Sequence, residues 1–220
     1  MNDRSQMILR LLEETKDSET LTEVSDAARS LLTRLGAQED TDGSIVVSRE
    51  NRISLVTEAV SLGVDIESVV EQTTWKDFEG LVARVLSEND YICVESFRRR
   101  GSELLRGMEI DVIGVKGSTV VVIDAKMWGV RPGKSSALMT AAEKQKERTA
   151  RLPGQMRKLS EKIGGLREGT YRLIPILVTW LVEEVAFHEG VPIVPIFELN
   201  SFLFDLSMYE DLLVSFDACV

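Results

Sequence analysis

The sequence predicts an α/β domain, a mixed β-sheet flanked by helices, behind a small helical module. Three observations carry this. Apolar residues recur at helical spacing through the first seventy positions, three β-type runs follow one another between residues 91 and 127, and strands then alternate with helices. The module is assigned residues 1–72 and the sheet domain 73–220.

In order along the chain, Ile8, Leu11 and Leu12 space a first helix. Leu21, Val24, Ala28, Leu31, Leu32 and Leu35 space a second, which Gly36 stops. Residues 44–48 read as a short strand or wing. Helices over 51–62 and 65–72 follow, separated by Gly63, with Asp65 capping the latter. Their spacing resembles a helix-turn-helix, but the second helix offers only Glu67, Glu71 and Gln72 where a recognition helix needs phosphate-binding cations. A packing or dimerising pair is the better reading.

Thr74 and Asp77 form a capping-box-like start for a helix whose apolar stripe is Phe78, Leu81, Val82, Val85 and Leu86. Strands are expected over 91–97, 108–115 and 119–127, punctuated by Gly107, Gly114 and Gly117. A helix over 135–152 ends at Pro153, and 155–163 reads as a short one. Residues 172–179 form an apolar strand of the kind buried on both faces, 181–188 a helix, and 191–197 a last strand whose two prolines suggest an edge.

The net charge of −10 hides a segregation. Residues 131–172 hold 11 basic and 4 acidic side chains, whereas 173–220 hold 8 acidic and no Lys or Arg. A polyanionic partner therefore remains open despite the acidic average, because the local field governs approach. No apolar run reaches the roughly 18 residues of a membrane span, and the N-terminus does not read as a signal peptide. Two distant cysteines, Cys93 and Cys219, and one histidine, His188, exclude a disulfide scaffold and a Cys/His zinc site and fit the cytoplasm. The histidine reads as a helix-end residue and the cysteines as packing.

Acidic-x-Lys occurs twice, as Glu14-x-Lys16 and Asp124-x-Lys126, and the second ends the apolar run Val120 to Ile123. Strand alternation puts Asp124 and Lys126 on one face, about 7 Å apart. With Lys116 and Gly117 as a two-residue turn, Asp111 faces Val122 and Glu109 faces Asp124, so Glu109, Asp111, Asp124 and Lys126 project together. Adjacent carboxylates repel, and hard oxygen ligands suit Mg²⁺ or Mn²⁺. At about 100° per residue Glu79 lies beside the apolar stripe, where it can lean over the sheet.

Glu79 on a helix, then Gly107-Met-Glu-Ile-Asp111, then Val-Ile-Asp124-Ala-Lys126 resembles the PD-(D/E)XK nuclease superfamily, and within it the Mrr-like restriction endonucleases of prokaryotes. Trp75-Lys-Asp-Phe78-Glu79 and Gln145 with Arg148 extend the similarity, which covers roughly residues 73–200. The resemblance implies a restriction-endonuclease-like core. It implies that Asp111, Asp124 and the carbonyl of Ala125 ligate the metal, that Lys126 orients the attacking water, that Glu79 holds a water of the metal or a second ion, and that Gln145 steadies the lysine or a phosphate. Ile110 stands where the superfamily name has Pro, and Asp124 where Mrr-type enzymes often have Gln.

Arg98, Arg99, Arg100 and Arg106 precede the Asp111 strand, and Lys134, Lys144, Lys146, Arg148 and Arg151 follow the Asp124 strand, where DNA phosphates would need them. Glu109 is equally open to being a ligand or a partner of Arg106. The sequence thus points to a Mg²⁺- or Mn²⁺-dependent DNA endonuclease, a homodimer if both strands are cut. The alternative is a DNA-binding regulator with an inactive nuclease fold, and a scaffold protein comes third.

Overall fold

The computed structural model describes residues 3–99, 107–129 and 133–220. The chain divides into two compact units, Met1–Leu81 and Val82–Val220.

The N-terminal unit holds α1 (Asp3–Glu14), β1 (Thr20–Leu21), α2 (Asp26–Arg34), β2 (Gln38–Glu39), β3 (Ile45–Val46), α3 (Arg49–Ser61), α4 (Ile66–Gln72) and the first half of α5 (Trp75–Glu88). The three short strands form an antiparallel sheet ordered β1-β3-β2. Asp65 caps α4 through the backbone N–H of Ser68, and Thr74 and Asp77 exchange capping-box bonds at the start of α5, as their spacing predicts. Arg52 is buried on α3, yet every contact satisfies it: two bonds to Asp77 Oδ2, one each to the carbonyls of Leu12 and Gln72, and one to Thr15 Oγ1.

The C-terminal unit is a seven-stranded mixed sheet flanked by helices, so the α/β expectation holds. Its strands are β4 (Ile92–Arg99), β5 (Met108–Lys116), β6 (Thr119–Lys126), β7 (Thr170–Thr179), β8 (Phe187–His188), β9 (Val191–Pro195) and β10 (Phe216–Cys219). The order is β4-β5-β6-β7-β9-β8, with β10 beside β7. The first three strands are antiparallel, whereas β6, β7 and β9 run parallel. Between β6 and β7 lie α6 (Lys134–Arg151) and α7 (Met156–Lys162), and α8 (Leu199–Phe204) follows β9. Leu138, Ala141 and Ala142 of α6 pack on Leu177, Val191 and Ile193, while Leu152, Met156 and Leu159 cover Ile113, Val115, Val120, Val122 and Leu173. Covered strands explain the uninterrupted apolar runs of β6 and β7. On β5 a Cβ at Gly114 would stand 3.1 Å from Leu86 Cδ1, so glycine lets the last turns of α5 sit close on the sheet. Among the described residues no helix is long and apolar enough to cross a membrane.

Several expectations are corrected. The β5–β6 turn is Gly117–Ser118, not Lys116–Gly117, because Lys116 stays in the ladder opposite Thr119. Gly117 takes φ +57° at the first turn position, where hairpins require left-handed backbone, while Lys116 is held by the carbonyl of Asn89. Residues 181–188 do not form a helix. Glu183 and Glu184 are drawn to Lys134 and Ser135, and His188 lies in β8 rather than at a helix end. Finally, β9 is not an edge strand: Pro192 pairs with Phe187 of β8 and Pro195 with Thr179 of β7. Of the cysteines, Cys93 is half-buried and Cys219 exposed, so the latter is not core packing.

Candidate functional site

The corrected turn moves each cross-strand partner by two residues, which leaves the face of every side chain unchanged. Val112 and Ile123 are the last pair of the ladder, and the same register carried one residue further sets Asp111 opposite Asp124. Both carboxylates are buried, at 4 % and 2 % exposure. Asp111 Oδ2 accepts the backbone N–H of Ala125 at 2.8 Å. Burial, and next the charge of Asp124, push the Asp111 carboxyl up to about 6, although the Ala125 N–H, Lys126 and Arg148 pull it the other way.

Asp124 is gripped from two sides. Lys126 Nζ lies 2.6 Å from Oδ2, and Arg148, reaching down from α6, donates to Oδ1 at 2.5 Å. The Lys126 contact is an ion pair without hydrogen-bond alignment, so Oδ2 is a buried oxygen with no hydrogen-bond donor among the described residues. Lys126 Nζ also stands 5.9 Å from the centre of the Trp128 ring, which packs partly buried beside the α6 core. Gln145, one turn before Arg148, is fully buried and donates to the carbonyl of Val122 at 2.8 Å; its own carbonyl oxygen has no hydrogen-bond partner among the described residues. Helical spacing explains this pair: Leu138, Ala141, Ala142, Gln145 and Thr149 form the buried stripe of α6, and Arg148 stands at its margin facing the sheet.

Beside Arg148 opens a cleft of about 450 Å³, lined by Arg98, Arg99, Lys144, Arg148 and Arg151 together with Glu109 and Glu147. Five of the cations expected to meet a polyanion thus converge from β4 and α6. Glu109 is exposed and pairs with Arg98 at 2.7 Å. Lys134 stands apart from this group: it is tied to Glu183 at 2.6 Å and to the carbonyl of Trp128 at 2.9 Å. Arg100 and Arg106 lie outside the described residues. Glu79 is buried on α5 and belongs to the N-terminal unit, so the arrangement described here is built without it.

The donors fit a hard divalent cation. Two adjacent buried carboxylates, one oxygen of which lacks a hydrogen bond, and the Ala125 carbonyl form an all-oxygen set, and burial together with the Asp124 charge beside it raises the Asp111 pKa. A second group, Glu143, His188 and Glu189, brings potential ligand atoms within 4.8 Å of one another. It is more open to water, and Lys146 already neutralises Glu189 at 3.0 Å.

No family model matches the chain. Among solved structures, it is similar to protein VC1899 from Vibrio cholerae (16% identity, TM-score 0.35, covering 95% of this chain and 52% of that one). It is also similar to Can2 from Sulfobacillus thermosulfidooxidans, solved in complex with cyclic tetra-adenylate (9% identity, TM-score 0.37, covering 91% and 50%). The chain spans about half the length of each. An uncharacterized protein of Archaeoglobus fulgidus is 30% identical over 135 residues, which cover 61% of this chain and 93% of that protein. The chain belongs to the same family as this Archaeoglobus protein.

Proposed function

We propose that the protein is a divalent-metal-dependent DNA endonuclease that hydrolyses phosphodiester bonds, using Mg²⁺ or Mn²⁺ and acting as a cytoplasmic homodimer. One observation carries this reading: a buried carboxylate pair, with a lysine ammonium 2.6 Å from Asp124, is joined through Arg148 to a cleft lined by five cations.

When bound, the metal supplies a Lewis acid that offsets charge on the phosphoryl oxygens and acidifies a water. Asp111 and Asp124 would hold the ion, with the Ala125 carbonyl as a further ligand. The Ala125 N–H fixes the Asp111 carboxylate in its rotamer, so the two acids are placed before any ion arrives. Lys126 Nζ, as an ammonium, donates to the attacking water and orients it. Gln145 tethers α6 to β6 through Val122, which keeps Arg148 in register with Asp124. Arg98, Arg99, Lys144 and Arg151 bind backbone phosphates, and the N-terminal unit mediates dimerisation or partner binding. For Glu79 the support is the family resemblance. Arg100 and Arg106 would extend the phosphate contacts, the support being their place in the sequence between Arg99 and the Asp111 strand, and Lys134 buttresses α6 instead.

The test is supercoiled plasmid incubated with Mg²⁺ or Mn²⁺. Wild type should nick it and Asp124→Ala and Lys126→Ala should not. Tight DNA binding with no nicking at any salt concentration favours instead the DNA-binding regulator with a silent nuclease fold.

A further inference from the structure

We propose that Arg148 is a displaceable counter-ion. A divalent cation evicts it from Asp124 into the cleft, where it binds a phosphate, so that metal and nucleic acid bind cooperatively. This rests on the nuclease reading and adds to it a coupling between its two ligands.

The charges at the site balance without a metal. Asp111 and Asp124 contribute two negative charges, and Lys126 and Arg148 two positive ones. Asp124 takes both cations, one on each oxygen, and is 2 % exposed. A dication bound to the same carboxylate leaves two uncompensated positive charges in a poorly solvated pocket, where repulsion over a few ångströms is strong. One resident cation must leave. Lys126 is rooted on the same strand two residues from Asp124, beside Trp128. Arg148 is the freer of the two: its side chain is 29% exposed against 20% for Lys126, and it already lines the cleft.

The cleft supplies the second state. While it holds no anion, Arg98, Arg99, Lys144 and Arg151 outnumber Glu109 and Glu147 in its lining, and the net positive field repels the Arg148 guanidinium back towards Asp124. Phosphates in the cleft reverse that sign. Arg148 therefore has two positions, the metal biases one of them, and the nucleic acid biases the same one. Linkage then requires that each ligand tighten the other by one common factor.

The experiment measures the affinity of a fluorescent duplex of about 20 base pairs with chelator and with Ca²⁺, a cation that takes the same hard oxygen ligands. Calcium should tighten duplex binding by wild type about tenfold more than it does for Arg148→Gln, a coupling of ordinary allosteric size. Without DNA, Ca²⁺ should bind Arg148→Gln more tightly than wild type, because its competitor for Asp124 is gone. In wild type, DNA should tighten Ca²⁺ by the factor by which Ca²⁺ tightens DNA. Arg151→Gln, which lacks the Asp124 contact, should weaken DNA binding with and without Ca²⁺ and keep the coupling. Equal coupling in wild type and Arg148→Gln overturns the inference, as does weaker Ca²⁺ binding by Arg148→Gln without DNA. Binding of both ligands without coupling defeats the inference and leaves the nuclease reading standing, whereas no Ca²⁺ binding by any form removes both.

Discussion

The carboxylate of Asp111 is fastened to the backbone N–H of Ala125, the residue between Asp124 and Lys126. One hairpin strand thereby fixes its acid against the very segment that carries the other acid and the lysine. The bond holds two like charges together although burial, and next their repulsion, raises the Asp111 pKa.

Asp111→Asn keeps an oxygen to accept that bond and removes the charge. The folded-state pKa of about 6 lies above the unfolded value, so metal-free wild type binds a proton more readily folded than unfolded and loses stability as pH rises from about 4 through 6. Denaturant titrations should find metal-free Asp111→Asn more stable than wild type at pH 8, by on the order of 1–3 kcal/mol, and the gap should close near pH 4. A gap that does not vary with pH contradicts the assignment.

The same proton competes with the metal. Mn²⁺ affinity, measured by calorimetry, should rise about tenfold per pH unit below pH 6 and level off above about pH 7. In Asp111→Asn the slope between pH 5 and 6 should be lost along with most of the affinity. An unchanged slope would assign the titration to another group.

The cleft cations predict a salt signature. Each phosphate contact contributes about 0.9 to the slope of log K against log salt on duplex DNA, so Arg151→Gln should lower that slope by about this amount. Loss of affinity with an unchanged slope would mean that Arg151 supports the cleft without touching phosphate.

In the N-terminal unit the buried pair of Arg52 and Asp77, 2.9 Å apart, also joins α1 and α4 through backbone carbonyls. Arg52→Ala leaves Asp77 buried without its cation and should cost about 3–5 kcal/mol. Hydrogen exchange should show protection lost in α1, α3 and α4 first, with the β5–β6 ladder spared. Uniform loss across both units would show that they unfold as one.

Much of the site was legible because strand alternation has a period of two. Asp111, Asp124 and Lys126 share a face under either turn, so the wrong turn, Lys116–Gly117, misassigned their partners without dispersing the cluster. What escaped was set by contacts distant in sequence. Lys134 reads as one more cation until Glu183 is seen beside it, and that same contact outweighs the helical pattern of 181–188. By its place in the sequence Arg148 reads as a phosphate ligand, whereas in the structure it grips Asp124. A signal did exist: Gln145 lies on the apolar stripe of α6, and a residue three further on points over the same sheet. The short strand β10 carries too brief a pattern to be separated from coil.

The most direct measurement is anomalous scattering from crystals soaked in Mn²⁺. The account predicts a peak between the Asp111 and Asp124 carboxylates, about 2.0–2.6 Å from an oxygen of each. A peak confined to Glu143, His188 and Glu189, with Asp124 still held by Lys126 and Arg148, would contradict it.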